Sequence, residues 1–145
     1  MTKANWWQHG VGYQIYPKSF FDANGDGIGD LAGIKEKIDY LDSLNIDFVW
    51  LCPIYKSPGI DNGYDIADYR DVDPQYGSMA DLDILIQELH NHNIKIVMDM
   101  VLNHSSDQNK WFLDAKRDIN SKYHDYYIWK KGKDGGTPNN WTSLF

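Results

Sequence analysis

Three short apolar runs limit what this chain can fold into: "VGYQIYP" at 11–17, "DFVWLCP" at 47–53 and "IKIVMDMVL" at 94–102. Each is rich in β-branched and aromatic residues and lacks strict alternation, the pattern of strands covered on both faces. Between the first two, Leu31, Ile34, Ile38, Leu41 and Leu44 recur at three- and four-residue steps and predict one helix over 31–44. Leu82, Leu85, Ile86 and Leu89 repeat that spacing before the third run, with Ser78 as helix cap and Asp81 at the third helical position. Strand, helix, strand, helix, strand, joined by right-handed crossovers, gives a parallel sheet with helices packed on it. The fold class is α/β, and chemistry in such sheets gathers in loops leaving the carboxyl ends of strands.

Composition narrows the partners. With 145 residues, 42% of them hydrophobic, the chain suits one globular domain, and it shows no internal repeat. A net charge of −7 leaves no basic footprint for nucleic acid, so a cation or a neutral polar ligand fits better. Ten Tyr and six Trp suit either a partly wet sugar cleft or an aromatic core. Cys52 is the single cysteine, so no internal disulfide forms, and its apolar neighbours make it a buried thiol. The start "MTKANWWQHG" is not a leader and no run of 18 apolar residues occurs, so the expectation is a cytoplasmic protein without a membrane span. From 105 onward one short helix near 109–117 is followed by turns. Trp111, Phe112, Tyr123, Tyr126, Tyr127, Trp129, Trp141 and Phe145 make that stretch too aromatic for a disordered tail; it reads as a functional loop or a small subdomain.

Three loops carry unusual residues. In "FFDANGDGIGDLAG", Asp22, Asn24, Asp26, the carbonyl of Ile28 and Asp30 fall at relative positions one, three, five, seven and nine, with Gly27 at six. That spacing matches the first nine positions of an EF-hand loop, whose alternating oxygens surround calcium. Position twelve is Gly33 instead of a glutamate, and a strand precedes the loop, so an EF-hand fold is not supported. The alternative is an Asp/Asn/Gly turn whose side chains cap backbone amides, Asp30 standing just before the helix at Leu31. The second loop holds Asp61, Asn62, Gly63, Tyr64, Asp65, Asp68 and Tyr69. Its carboxylates suit vicinal hydroxyls and its tyrosines suit a sugar face, while "DNG" is also an ordinary turn. In the third, Asp99 interrupts the apolar run, and a carboxylate in a buried strand needs either a catalytic task or a hydrogen-bonding partner. His104 follows beyond the strand end, as a ligand or as a surface residue.

Together "WWQHGVGYQIYPKSFFDANGDGIGDLAGI", "PIYKSPGIDNGYDIADY", "DMVLNHSSDQNKWF" and "YYIWKKGKDGGTPNNW" resemble the α-amylase superfamily, glycoside hydrolase family thirteen, from Trp6 to the last residue. The likeness is strongest to its oligo-1,6-glucosidase and α-glucosidase branch. The resemblance implies the first three βα units of a (β/α)8 TIM barrel over 1–104, and the start of the inserted small domain over 105–145. Eight units take about 250 residues before insertions, so the expectation is an amino-terminal fragment. It assigns Asp22, Asn24, Asp26, Ile28 and Asp30 to a structural calcium loop. Asp61 and Tyr64 are assigned to grip and stack on the terminal glucose, and Asp99 and His104 to contact the same sugar.

The resemblance also moves the bond-breaking away from Asp99. The family's nucleophile, acid/base and transition-state carboxylates come from the fourth, fifth and seventh strands, beyond residue 145. Its reaction is retaining hydrolysis, which needs two carboxyls about 5–5.5 Å apart. The expected whole is a monomeric glycosidase acting on short α-glucosides, α-1,6 before α-1,4, with trehalose-6-phosphate hydrolase as the nearest rival. From another class, a non-catalytic binding protein of the same family is the alternative.

Overall fold

The computed structural model describes residues 5–142; Phe145 and the outermost ends of both predicted domains lie outside the described residues. In chain order the elements begin with β1 (Gly12–Ile15), α1 (Pro17–Phe20), α2 (Leu31–Glu36), α3 (Ile38–Ser43) and β2 (Phe48–Leu51). They continue with β3 (Tyr55–Lys56), β4 (Asp68–Val72), α4 (Met79–Asn91), β5 (Lys95–Met98) and α5 (Lys110–Arg117). Strands β1, β2 and β5 form a parallel sheet in that order, in the register Gly12, Phe48, Lys95 through Ile15, Leu51, Met98. The α/β class expected from the apolar runs is what the chain adopts.

Side chains alternate across a strand, so this register fixes two faces. Ile15, Val49 and Leu51, with Tyr13, Ile96 and Met98 beside them, pack under Leu31, Ile34, Ile38 and Leu41 of α2 and α3 and under Leu82, Leu85 and Leu89 of α4. Each fully buried Leu or Ile contributes about 1.5–3 kcal/mol relative to exposure. The predicted cap of α4 is present: the amide of Asp81 donates to Ser78 Oγ (3.3 Å) and that of Ser78 to Asp81 Oδ2 (2.8 Å). Cys52 is buried and free, as expected. No helix among the described residues is long and apolar enough to cross a membrane.

Four expectations need correction. The helix predicted over 31–44 is two helices, because Lys37 leaves α-geometry (φ −101°, ψ 11°) and its amide bonds back only three residues to the carbonyl of Ile34. The ammonium of Lys37 lies 3.9 Å from the centre of the Phe21 ring, which ties the break to the loop after α1. The strand predicted to 102 stops at Met98, so Asp99 stands at the strand's end, half-buried, and not inside it. The hairpin β3–β4, with its antiparallel pairing and a bulge between Tyr55 and Lys56, lies where only a loop was expected. Finally, the strands are not covered on both faces. Trp50 and Val97 point to the side away from the helices and stay 40% and 38% exposed.

That bare face, together with the unpaired outer edges of β1 and β5, generates a prediction. The chain expressed by itself is expected to self-associate, read as a concentration-dependent mass in light scattering; a soluble monomer with one sharp cooperative melt refutes it.

Candidate active site

The carboxyl ends of the three parallel strands bring the loops together. The sheet ladder runs one residue further on each side of β2: the amide of Cys52 donates to the carbonyl of Ile15 (2.9 Å), and that of Asp99 to the carbonyl of Leu51 (3.0 Å). Asp99 therefore emerges at the rim with its backbone fixed. Its Oδ2 accepts the Tyr64 hydroxyl at 3.2 Å across 35 residues of sequence. Burial, then Cys52 and Asp99 beside it, pushes the Tyr64 hydroxyl well above its ordinary value, so at neutral pH it is a neutral donor. Burial, and then the charge of Asp99, does the same to Tyr55.

His104 joins the same cluster through its ring. Nε2 lies 3.1 Å from the carbonyl of Tyr64 and Nδ1 lies 3.1 Å from the Asn103 amide nitrogen. A carbonyl only accepts and an amide NH2 only donates, so these partners assign the proton to Nε2. The main chain of His104 is braced as well, since the Tyr69 hydroxyl faces the carbonyls of Val101 (2.9 Å) and His104 (2.6 Å). The Tyr69 ring stacks on Trp111 of α5 at 5.7 Å and 13°. Ser106 and Asn109, both buried, donate to the carbonyl of Ile66 and lock the third loop against the second.

Of the four residues assigned to the sugar, the structure thus joins Tyr64, Asp99 and His104 directly. Asp61 stands in the same turn, its carbonyl accepting the amide of Tyr64 at 2.9 Å. Asp68 turns away and caps the amide of Arg70. Beside His104 opens a cleft of about 770 Å³ lined by Tyr69, Met100, Leu102, Trp111, Phe112 and Tyr127 among others, with Asp107 but no Lys or Arg in its wall among the described residues. Asn103 was missed as a site residue, while Asp65 and Tyr69, already grouped in the second loop, acquire their partners only in the structure.

In the first loop, the aspartates face backbone amides. Asp22 accepts from Gly25 and Gly27 (both 2.7 Å), Asn24 from Asp26 (2.9 Å) and Asp26 from Ile28 (2.8 Å). The Gly27 amide above all holds the Asp22 carboxyl below its ordinary value. Asp30, buried, caps α2 by accepting from Gly33 at 2.6 Å. Gly33 has no room for a side chain, because a Cβ there would run into the carbonyl of Phe21. The bidentate glutamate of an EF-hand is therefore excluded at this position for a steric reason. As a donor set, three carboxylates, an amide oxygen and the Ile28 carbonyl fit a hard cation. Among the described residues, however, no three His, Cys, Asp or Glu side chains converge into a metal-holding group.

Hydroxyls, aromatic faces and the Asp107 carboxylate lining a largely apolar cleft suit a polyhydroxylated ligand. Comparison with known proteins agrees with that chemistry. Residues 14–145 match the family model described as "Alpha amylase, catalytic domain". The chain is 55% identical over 140 residues to the oligo-1,6-glucosidase of Parageobacillus thermoglucosidasius, covering 97% of this chain and 25% of that protein. It is 54% identical over 141 residues to the trehalose-6-phosphate hydrolase of Bacillus subtilis, with coverages of 97% and 25%. Among solved structures, a MutB mutant in complex with the substrate sucrose superposes with a TM-score of 0.93 at 52% identity, over 97% of this chain and 25% of that one. The chain thus spans about a quarter of the length of the relatives it matches. It belongs to the α-amylase family, within that family's catalytic domain.

Proposed function

We propose that this chain is the amino-terminal part of a retaining α-glucosidase that releases terminal glucose from short gluco-oligosaccharides, α-1,6 linkages first. The observation that carries this reading is the junction of Tyr64, Asp99 and His104 at the carboxyl end of the sheet. On this reading β1, β2 and β5 are the first three strands of an eight-stranded barrel, and residues 105–142 belong to a small domain inserted after the third. Asp61 and Asp99 accept hydrogen bonds from sugar hydroxyls, the Tyr64 ring covers an apolar sugar face, and His104 orders the rim. Bond-breaking falls to a carboxylate pair supplied by other parts of the whole enzyme.

The full-length protein is expected to hydrolyse isomaltose, with α-glucose as the first anomer seen by proton NMR. Asp61→Asn and Asp99→Asn are each expected to lower kcat/KM about 10- to 100-fold, the loss of one charge-assisted hydrogen bond each. Release of β-glucose first, or unaltered kinetics in both variants, refutes the reading. A second reading, trehalose-6-phosphate hydrolysis, draws on the near-equal identity to that relative. Among the described residues the cleft wall carries Asp107 and no Lys or Arg, which favours a neutral sugar over a phosphorylated one. A kcat/KM higher on trehalose-6-phosphate than on isomaltose reverses the preference.

We propose further that Asp22, Asn24, Asp26, the Ile28 carbonyl and Asp30 hold a structural Ca2+. Binding to the native state alone stabilises by about 2.7 kcal/mol at a hundredfold excess over Kd. Calcium is expected to raise the unfolding temperature of the full-length protein, and Asp26→Ala to abolish that rise; an equal response in both proteins overturns the assignment.

A further inference from the structure

Asp65 is not among the residues assigned to hold the sugar, yet the second loop closes around its carboxylate. Oδ1 accepts the Ser57 hydroxyl (2.8 Å) and the Asp61 amide (3.1 Å), and Oδ2 accepts the Ile60 amide (3.0 Å). Ser57 carries the connection inward: its Oγ accepts the Gly59 amide (3.0 Å), and its own amide donates to Oδ2 of the buried Asp73 (3.1 Å). The Asp73 amide in turn donates to the carbonyl of Ile54 (2.8 Å), next to the core. The loop between Ser57 and Asp65 has no strand partner, so side chains must satisfy its amides. Asn62 and Gly63 stand at φ 53° and 97°, a left-handed pair that turns the chain sharply between Asp61 and Tyr64.

We infer that Asp65 is the positioning residue for the sugar-binding carboxylate of Asp61. It fixes the Asp61 backbone at the amide, while Tyr64 fixes it at the carbonyl, and so sets where the Asp61 carboxylate meets the hydroxyls of a terminal hexose. The inference rests on the proposed role of Asp61 in holding that sugar. Partial burial pushes the Asp65 carboxyl up, but the Ser57 hydroxyl and the amides of Asp61 and Ile60 outweigh it and hold it below its ordinary value. An ionised acceptor is what three converging donors require. A half-buried carboxylate serving only stability would need no relation to the ligand, and the readouts below separate the two.

The test is a double-mutant cycle in the full-length protein with isomaltose as substrate, joined to amide hydrogen exchange of the ligand-free protein. Asp65→Asn keeps the shape but turns one acceptor into a donor. It is expected to lower kcat/KM about tenfold, one hydrogen bond to a charged group, and to speed exchange at the amides of Ile60 and Asp61. In the Asp61→Asn background the same change is expected to add less than a twofold loss, because its route to the sugar is already gone. A tenfold loss in both backgrounds, or unchanged exchange at those two amides, overturns the inference. Should Asp65→Asn fail to fold, Ser57→Ala removes one of the three donors and is expected to show the same coupling to Asp61 at smaller size; additivity there overturns it equally. If the wild-type protein hydrolyses no α-glucoside, the proposed function falls, and the exchange measurement still decides whether Asp65 fixes Asp61.

Discussion

A loop that leaves the carboxyl end of a parallel strand carries amides that no ladder can satisfy, and this chain meets that need with aspartate. Asp22 takes the amides of Gly25 and Gly27, Asp30 that of Gly33, Asp65 those of Ile60 and Asp61, and Asp73 those of Ser57 and Gln75. Carboxylate acceptors make stronger bonds to N–H than carbonyls do, so each of these short loops is held without a core of its own. The net charge of −7, which at first suggests only what the chain cannot bind, is in part the composition of loops braced this way. Among the described residues no buried side-chain nitrogen or oxygen is left without a partner. The convergence of Tyr64, Asp99 and His104 depends on that bracing, since all three lie outside regular elements.

Periodicity reveals what hydrophobic burial dictates and little else. Leu31, Ile34, Ile38 and Leu41 are all in the core, so the spacing holds for those four even though the backbone breaks at Lys37, while Leu44, expected on the same face, lies past the end of α3 and is exposed. The break coincides with a contact made across the fold, with Phe21 under the Lys37 ammonium, and a local pattern carries no trace of it. Hairpin β3–β4 stays hidden for a related reason. Four of the five residues of "DYRDV" are polar or aromatic and only Val72 is deeply buried, so no apolar alternation marks the strand. Asp99 was legible as an anomaly but misplaced, because an apolar run does not say where the ladder stops.

The spacing of Asp22, Asn24 and Asp26 is ambiguous for a physical reason. Alternate side chains at the first, third and fifth positions of a tight glycine loop meet the loop's own amides, and the same alternation turns oxygens toward a common centre. The two readings are not exclusive. An oxygen that accepts one N–H keeps a second lone pair, so amide bonds can preorganise a cation loop as well as replace one. Gly33 separates this loop from the EF-hand more sharply than its missing glutamate does. The Phe21 carbonyl fills the space a side chain would need, and the same approach puts the Gly33 amide against Asp30, joining loop and helix α2 in one contact.

Stability and recognition share one surface in this chain. Trp50 and Val97 lie on the helix-free face of the sheet, and two residues beyond Val97, just past the end of β5, stands Asp99. On the proposed reading, a cover for that face would have to exclude water from an apolar floor and still leave Asp99, Asp61 and the cleft beside His104 open at the rim. Those demands conflict over a distance of a few residues, and the structure resolves them by changing material at the strand end. Below the rim, burial by side chains of the same kind dominates and tolerates substitution of equal volume. Above it, directional hydrogen bonds from Tyr64, Asn103 and Tyr69 hold single groups, and a change of one atom is felt. A polar substitution at Val97 would act on the fold, while the loss of one hydroxyl at Tyr64 or Tyr69 would act on the site with little effect on the core.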